Sequence, residues 1–276
     1  GGRGDGPVDR QRAGNLPVTA AGQRTALIAA MRDELAALLP AVEGASTEHL
    51  GGREFWIGHL GGQPVVAVLA GIGKVAAAIT ATLLASRYRV DRMLFVGVAG
   101  GLGAGVKVGD VVVADALLQH DMDASPLFPR HEVPLTGLSR FHADPAFSDA
   151  VARGAQAALA TPAGHGGTLH RGLIVSGDRF VATAAESAAL RAALPDALAV
   201  EMEGAAVAQV CHAFNIPLAV VRSISDRADD AAHVDFSAFL REVAGPLGRA
   251  IVQHALAHSV PRARHAGPAS PRPLRP

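Results

Sequence analysis

Seven short runs of consecutive apolar residues, separated by longer amphipathic stretches, constrain the fold of this chain more than any other feature. The runs are residues 25–30 (TALIAA), 64–70 (PVVAVLA), 93–98 (MLFVGV), 110–114 (DVVVA), 173–176 (LIVS), 197–200 (ALAV) and 217–223 (PLAVVRS). Several are apolar at successive positions instead of at every second one, so they predict strands covered on both faces. Residues 74–87, 145–160, 184–193, 204–213 and 236–257 carry helical spacing and predict the covering helices. This order predicts an α/β domain with helices around a mixed, mostly parallel central sheet. No window reaches the 18 or so apolar residues of a membrane helix. The nearest, residues 93–106, contains five glycines and reads as a strand followed by a loop.

Composition removes whole classes of function. Among 276 residues, 25 Lys and Arg balance 25 Asp and Glu, which leaves no net charge to attract nucleic acid or anionic lipid. With 49% hydrophobic and 18% charged residues the chain can bury a large core and is not mostly disordered. The one cysteine, Cys211, cannot form an internal disulfide, which fits a reducing compartment; the cytoplasm is the expected location. Residues 1–23 are rich in Gly, Arg, Asp and Pro, lack the apolar stretch of a secretory signal, and read as a flexible leader. Their Arg3-Gly4-Asp5 is an adhesion-like tripeptide of the kind that recurs by chance. Residues 259–276, rich in Pro and Arg, read as a second flexible tail. One domain, residues 24–258, remains.

Sheets of this kind bind ligands outside the carboxyl ends of their strands. There the sequence places Met31 to Glu34, the glycine turn at residues 97–101, Ser176 to Phe180, Glu201-Met202-Glu203 and Arg222 to Asp226. Acidic groups beyond buried strands suit a ligand with hydroxyls and ring nitrogens, because carboxylates accept from such donors and exchange protons with them. Asp33 reads first as a helix cap; the joint placement of Glu34, Glu203 and Asp226 points to function.

Several strings occur together in one order: AAMRDELAALLP, AGIGKVAAAITATLLA, GVAGGL, KVGDVVVAD, GLIVSGDRF, VEMEGAAVAQVC and VRSISDRAD. In these the chain resembles the bacterial 5'-methylthioadenosine/S-adenosylhomocysteine nucleosidases of the purine nucleoside phosphorylase-like family, over nearly all of residues 24–258. VEMEGAA followed by SISD carries the resemblance; GIGK or GVAGG alone would be weak.

The resemblance implies a three-layer nucleoside phosphorylase-like domain that hydrolyses the N-glycosidic bond, releases adenine, and serves methionine salvage. It implies that Glu34 activates water, that Asp226 is the general acid at adenine N7, and that Arg222 helps hold the water. It makes Glu203 and Met202 ribose ligands, and sets Phe180 and Val181 against adenine, with Ser225 and Val98 also at the substrate. Ile72 and Phe236 would line the slot for the 5'-thio group. It implies no cofactor, no metal and a homodimer, with Leu127 and Phe128 reaching a partner's pocket. Val98 departs from the Ser or Thr that many relatives carry in the glycine turn, which bears on how water is positioned.

The chemistry independently asks for such groups. Breaking a C–N bond at an anomeric carbon creates an oxocarbenium-like sugar, stabilised by nearby anions and a proton donor at the leaving base. As general acid, Asp226 must keep its proton well above the usual range, which burial behind the apolar strand favours. A phosphorylase is the closest rival; Glu34 would repel its phosphate dianion. A silent nucleoside-binding protein needs no acid–base pair. Hydrolysis of 6-amino-6-deoxyfutalosine stays open. Gly71-x-Gly73-Lys74 is half a P-loop, with Val68 and Val75 at the positions that should be Gly and Ser or Thr. His254 and His258, four apart, have no third metal ligand; the string from His120 to Asp123 has the residue types of a cation site, and the resemblance implies instead that it starts a loop near the active site.

Overall fold

The structure, a computed structural model, describes residues 23–228 and 236–258, without the side chains of Phe236 and Ser237. The leader through residue 22 with Arg3-Gly4-Asp5, residues 229–235, and the tail from residue 259 lie outside the described residues. The strands are β1 (Thr25–Ala29), β2 (Glu43–Leu50), β3 (Arg53–Leu60), β4 (Gln63–Leu69), β5 (Arg92–Gly101), β6 (Val111–Gln119), β7 (Arg140–His142), β8 (Leu169–Ser176), β9 (Ala197–Glu201) and β10 (Leu218–Asp226). The helices are α1 (Arg32–Leu38), α2 (Lys74–Ser86), α3 (Pro145–Leu159), α4 (Ala184–Ala193), α5 (Gly204–Phe214), α6 (Phe236–Phe239) and α7 (Gly245–Ala257). A π-helical turn, Leu240–Ala244, joins the last two, so the single helix expected over 236–257 runs in three pieces.

Each apolar run is a strand, and the sheet is mixed, flanked by helices as expected. Its centre is built from two parallel groups. In one, β4 and β5 flank β1 and β5 pairs with β10; in the other, β8 lies between β6 and β9. The groups are antiparallel to each other, through β10 against β6 and β5 against β9. The pairings β5–β10–β6–β8–β9–β5 therefore close a ring. Because the groups run toward one another, their carboxyl ends overlap where Gly100 pairs with Val200. The strand ends therefore form two facing rows. Strands β2 and β3, absent from the apolar runs, extend the sheet as an antiparallel meander on β4.

Helices α2 and α5 pack together on one face, and α1, α3 and α7 on the other. Small residues let the first pair approach closely: Ala77 and Ala81 of α2 share a core with Ala205, Ala206 and Ala208 of α5. The second face is built on Leu35, Leu38, Val151, Leu247 and Ile251. Truncating a fully buried residue such as Leu94 to Ala is expected to cost about 2–5 kcal/mol. Local signals set the helix ends. The Asp144 side chain accepts from the Phe147 N–H to open α3, with Pro145 at the first position, and Asn215 in the left-handed region ends α5.

Candidate active site

A cavity of about 220 Å³ lies at the overlap of the two strand groups. Its wall includes Ile72 before α2, Val98 and Gly100 of β5, Phe180 and Val181 after β8, Glu201 at the end of β9 with Met202 and Glu203 before α5, and Ser225 and Asp226 of β10. Eight residues singled out from sequence thus share one cavity: Glu203, Met202, Phe180, Val181, Ile72, Val98, Ser225 and Asp226. The side chain of Phe236 lies outside the described residues. Glu34 and Arg222 stand behind the wall.

Glu34 occupies the third position of α1, a buried place because that turn faces α7. One carboxylate oxygen accepts from the Met31 N–H at 2.8 Å, as in half of a capping box, and Met31 itself lines the cavity. The other oxygen is buried with no hydrogen-bond partner among the described residues, and Glu34 borders a smaller adjoining space with Gly97 and Ser223. Burial pushes the Glu34 carboxyl up to about 7, against the pull of the Met31 hydrogen bond and the Arg222 charge. Such a group titrates where a general base works best. Neighbouring Asp33 lies in the same first turn without being the cap, a place held by Met31, and Arg32 is exposed.

Glu203 is the N-cap of α5, yet its side chain makes no capping bond. It accepts instead from the Gly73 N–H at 2.9 Å, at the start of α2. Burial, and then the like charge of Glu201, push its carboxyl up to about 7. The adjacent Lys74 N–H donates to Asp178 at 2.7 Å, so the half P-loop presents its amides to the protein's own carboxylates.

Asp226 ends β10, nearly buried, with the Ser225 hydroxyl and the Ala228 N–H each 2.7 Å from a carboxylate oxygen. Ser225, expected at the substrate, donates to this carboxylate. Glycines in the turn are required by close approach: a Cβ on Gly100 would lie 2.8 Å from Ala228 Cβ and 3.0 Å from Asp226 Oδ1, and one on Gly97 3.1 Å from Arg222 Nη1. Arg222 is fully buried. Its guanidinium donates to Glu201 at 2.7 Å and to the carbonyls of Phe95 and Val221, and lies 4.1 Å over the Phe95 ring. Breaking such a buried pair typically costs about 3–5 kcal/mol.

Sequence reasoning gave no role to Glu201 or Ser176, whose side chains bond each other beneath Glu203. The signal was the acidic doublet two residues apart at a strand end. Among the described residues no cluster of three His, Cys, Asp or Glu is placed for a metal. His254 and His258 stack at 4.3 Å, and Asp121 is held by Lys74 at 2.6 Å.

Two opposed parallel groups with an acidic cavity at their overlap define the nucleoside phosphorylase-like class of α/β proteins. The sequence model of the phosphorylase superfamily matches residues 24–257. Among solved structures, the chain is 35% identical to the 5'-methylthioadenosine/S-adenosylhomocysteine nucleosidase of Neisseria meningitidis in complex with methylthio-immucillin-A, covering 85% of this chain and 98% of that one with a TM-score of 0.78. It is 33% identical to the nucleosidase of that name from Colwellia psychrerythraea 34H in complex with adenine, over 86% and 96%, with a TM-score of 0.80. Futalosine hydrolase of Helicobacter pylori is 31% identical over 85% and 97%, with a TM-score of 0.77. The chain belongs to the phosphorylase superfamily, in the branch that holds these nucleosidases and futalosine hydrolase.

Proposed function

We propose that this protein is an N-glycosyl hydrolase that cleaves 5'-methylthioadenosine and S-adenosylhomocysteine to adenine and the corresponding thioribose. The observation that carries this reading is the placement of Glu203 and Asp226 on one cavity whose wall includes Met31, the residue whose amide holds Glu34. In the proposed reaction Glu203 accepts hydrogen bonds from the ribose hydroxyls, with Met202 alongside. Asp226 delivers a proton to adenine N7 as the C–N bond lengthens, and the electron pair of that bond leaves with the base. Glu34 takes a proton from the water that attacks the anomeric carbon, helped by the Arg222 charge. Phe180 and Val181 hold the ring, and Ile72 meets the 5' substituent.

Hydrolysis fits better than phosphorolysis. The Arg222 guanidinium is paired with Glu201, Arg32 points outward, and Val98 supplies no hydroxyl, so a dianion would meet Glu34 without a matched donor set. The mouth of the cavity is open, with Ile72 69% exposed, which favours a second substrate class with a larger 5' group, such as 6-amino-6-deoxyfutalosine. The exposed apolar residues Val75 and Ile79 of α2, with Leu127, support a homodimer. We place the enzyme in the cytoplasm, in methionine salvage. No helix of the described residues is long and apolar enough to cross a membrane, and Cys211 is buried and unpaired.

Adenine release from the three nucleosides, compared with and without phosphate, tests the reading. Turnover in phosphate-free buffer is expected; strict phosphate dependence would overturn the hydrolase assignment.

A further inference from the structure

A helix presents its first amides without internal partners, and the residue at its N-cap ordinarily takes one of them with its side chain. Helix α5 departs from this. Its first amide, Gly204 N–H, lies 2.8 and 3.0 Å from the two carboxylate oxygens of Glu201, and the Glu203 N–H lies 3.2 Å from one of them. The next, Ala205 N–H, donates to the Ser176 hydroxyl oxygen at 2.8 Å, and that hydroxyl donates in turn to Glu201. The Ala206 N–H is taken by the Glu203 carbonyl. Every amide that Glu203 would cap is thus occupied, and its side chain is free to face the cavity and the Gly73 N–H. Gly204 is needed for this arrangement, since a Cβ there would lie 2.7 Å from Leu117 and 3.2 Å from both Glu201 oxygens. The same Glu201 carboxylate receives the Arg222 guanidinium at 2.7 Å.

We propose that Glu201 is a positioning residue: by taking the amides that open α5 together with the Arg222 guanidinium, it releases Glu203 from helix capping and holds it toward the substrate. The inference rests on the catalytic reading above but concerns a group that reading leaves without a role. Glu203 faces Glu201 from β9 and Arg222 from β10. Asp226 and Arg179 line the same cavity, Lys74 and Asp178 stand beside Gly73, and His120, just after β6, lies near Glu201.

Glu201→Gln keeps the shape and removes the charge. The Glu203 carboxyl then loses a like-charged neighbour while Arg222 loses its counter-ion, and both changes favour ionised Glu203. We expect kcat to fall about 10- to 100-fold, the scale of a reacting group displaced by 1 Å, and the acid limb of kcat/KM to become shallower just below pH 7, from about two decades per pH unit toward about one, as Glu203 titrates lower while Glu34 still sets the start of the limb. A merely structural role would lower the active fraction without reshaping the limb. Ser176→Ala changes no charge but frees the Ala205 amide to compete for Glu203; KM is expected to rise about tenfold. This second variant decides the matter if Glu201→Gln does not fold by circular dichroism. Carbon-13 NMR titration of the Glu203 carboxyl gives a readout independent of turnover. If the wild-type protein hydrolyses none of the nucleosides, the proposed function fails alone, and the titration still judges Glu201. A folded Glu201→Gln protein with unchanged kcat, acid limb and Glu203 titration, or a Ser176→Ala protein with unchanged KM, would overturn the inference.

Discussion

The Glu203 carboxylate reaches across 130 positions of sequence to accept the Gly73 N–H at 2.9 Å, joining the start of α2 to the start of α5 at the cavity wall. In the proposed reaction the remaining oxygen accepts from the ligand hydroxyls. Glu203→Gln preserves an acceptor for Gly73 but weakens each charge-assisted bond to ribose. With such bonds contributing about 1.5–3 kcal/mol, kcat/KM for 5'-methylthioadenosine should fall about 10- to 100-fold while the melting profile is retained. Steady-state kinetics with purified variant check this.

Asp226→Asn leaves an acceptor for Ser225 or Ala228 but cannot deliver the proton that the departing base needs. Turnover is expected to drop on the order of 100- to 10,000-fold, with the fold intact. Near-normal single-turnover rates in this variant would remove Asp226 from the mechanism.

The pH dependence of the free enzyme follows from two carboxyls, Glu34 and Glu203, both pushed up to about 7. Each acts ionised in the proposed reaction. Hence kcat/KM should fall as pH drops below about 7, with a slope approaching about two decades per pH unit. A profile that stays flat from pH 8 to pH 5 would contradict these assignments.

The same burial makes a stability prediction of opposite benefit. A carboxyl whose folded-state pKa of about 7 lies above its ordinary 4.5 is held protonated by the fold. Its stabilising contribution is full below 4.5 and lost as pH rises through 7. Glu34→Gln removes that loss, so the variant should be more stable than wild type at pH 8 by on the order of 3 kcal/mol, and the gap should shrink toward pH 5. Urea melts at the two pH values measure it. Glu203 leaves a residual slope of the same sign.

What was legible in the sequence and what was not follow from how each element earns its place. Strands buried on both faces, such as β5 and β10, advertise themselves by unbroken apolar runs. The meander strand β2 (EGASTEHL) does not, because it is largely exposed. Met202 and Phe180, which follow β9 and β8, and Ser225, near the end of β10, could be placed at one site through the family resemblance. The antiparallel relation between the two strand groups depends on long-range pairing that no local pattern encodes. Glu201 was passed over for a related reason: a carboxylate next to a helix start looks like any other cap until the amides it takes are seen. Arg222, expected at the water, is recognisable as an arginine in the right string, but its engagement by Glu201 comes only from the closed ring, in which β9 and β10 both pair with β5.

The central claim is that water, admitted beside Glu34, is the nucleophile at a nucleoside held by Glu203 and Asp226. Incubation with 5'-methylthioadenosine in oxygen-18 water containing phosphate, followed by mass spectrometry of the sugar, tests it most directly. Free adenine with one heavy oxygen in methylthioribose is the predicted result; a methylthioribose phosphate without the label, or no adenine at all, would contradict it.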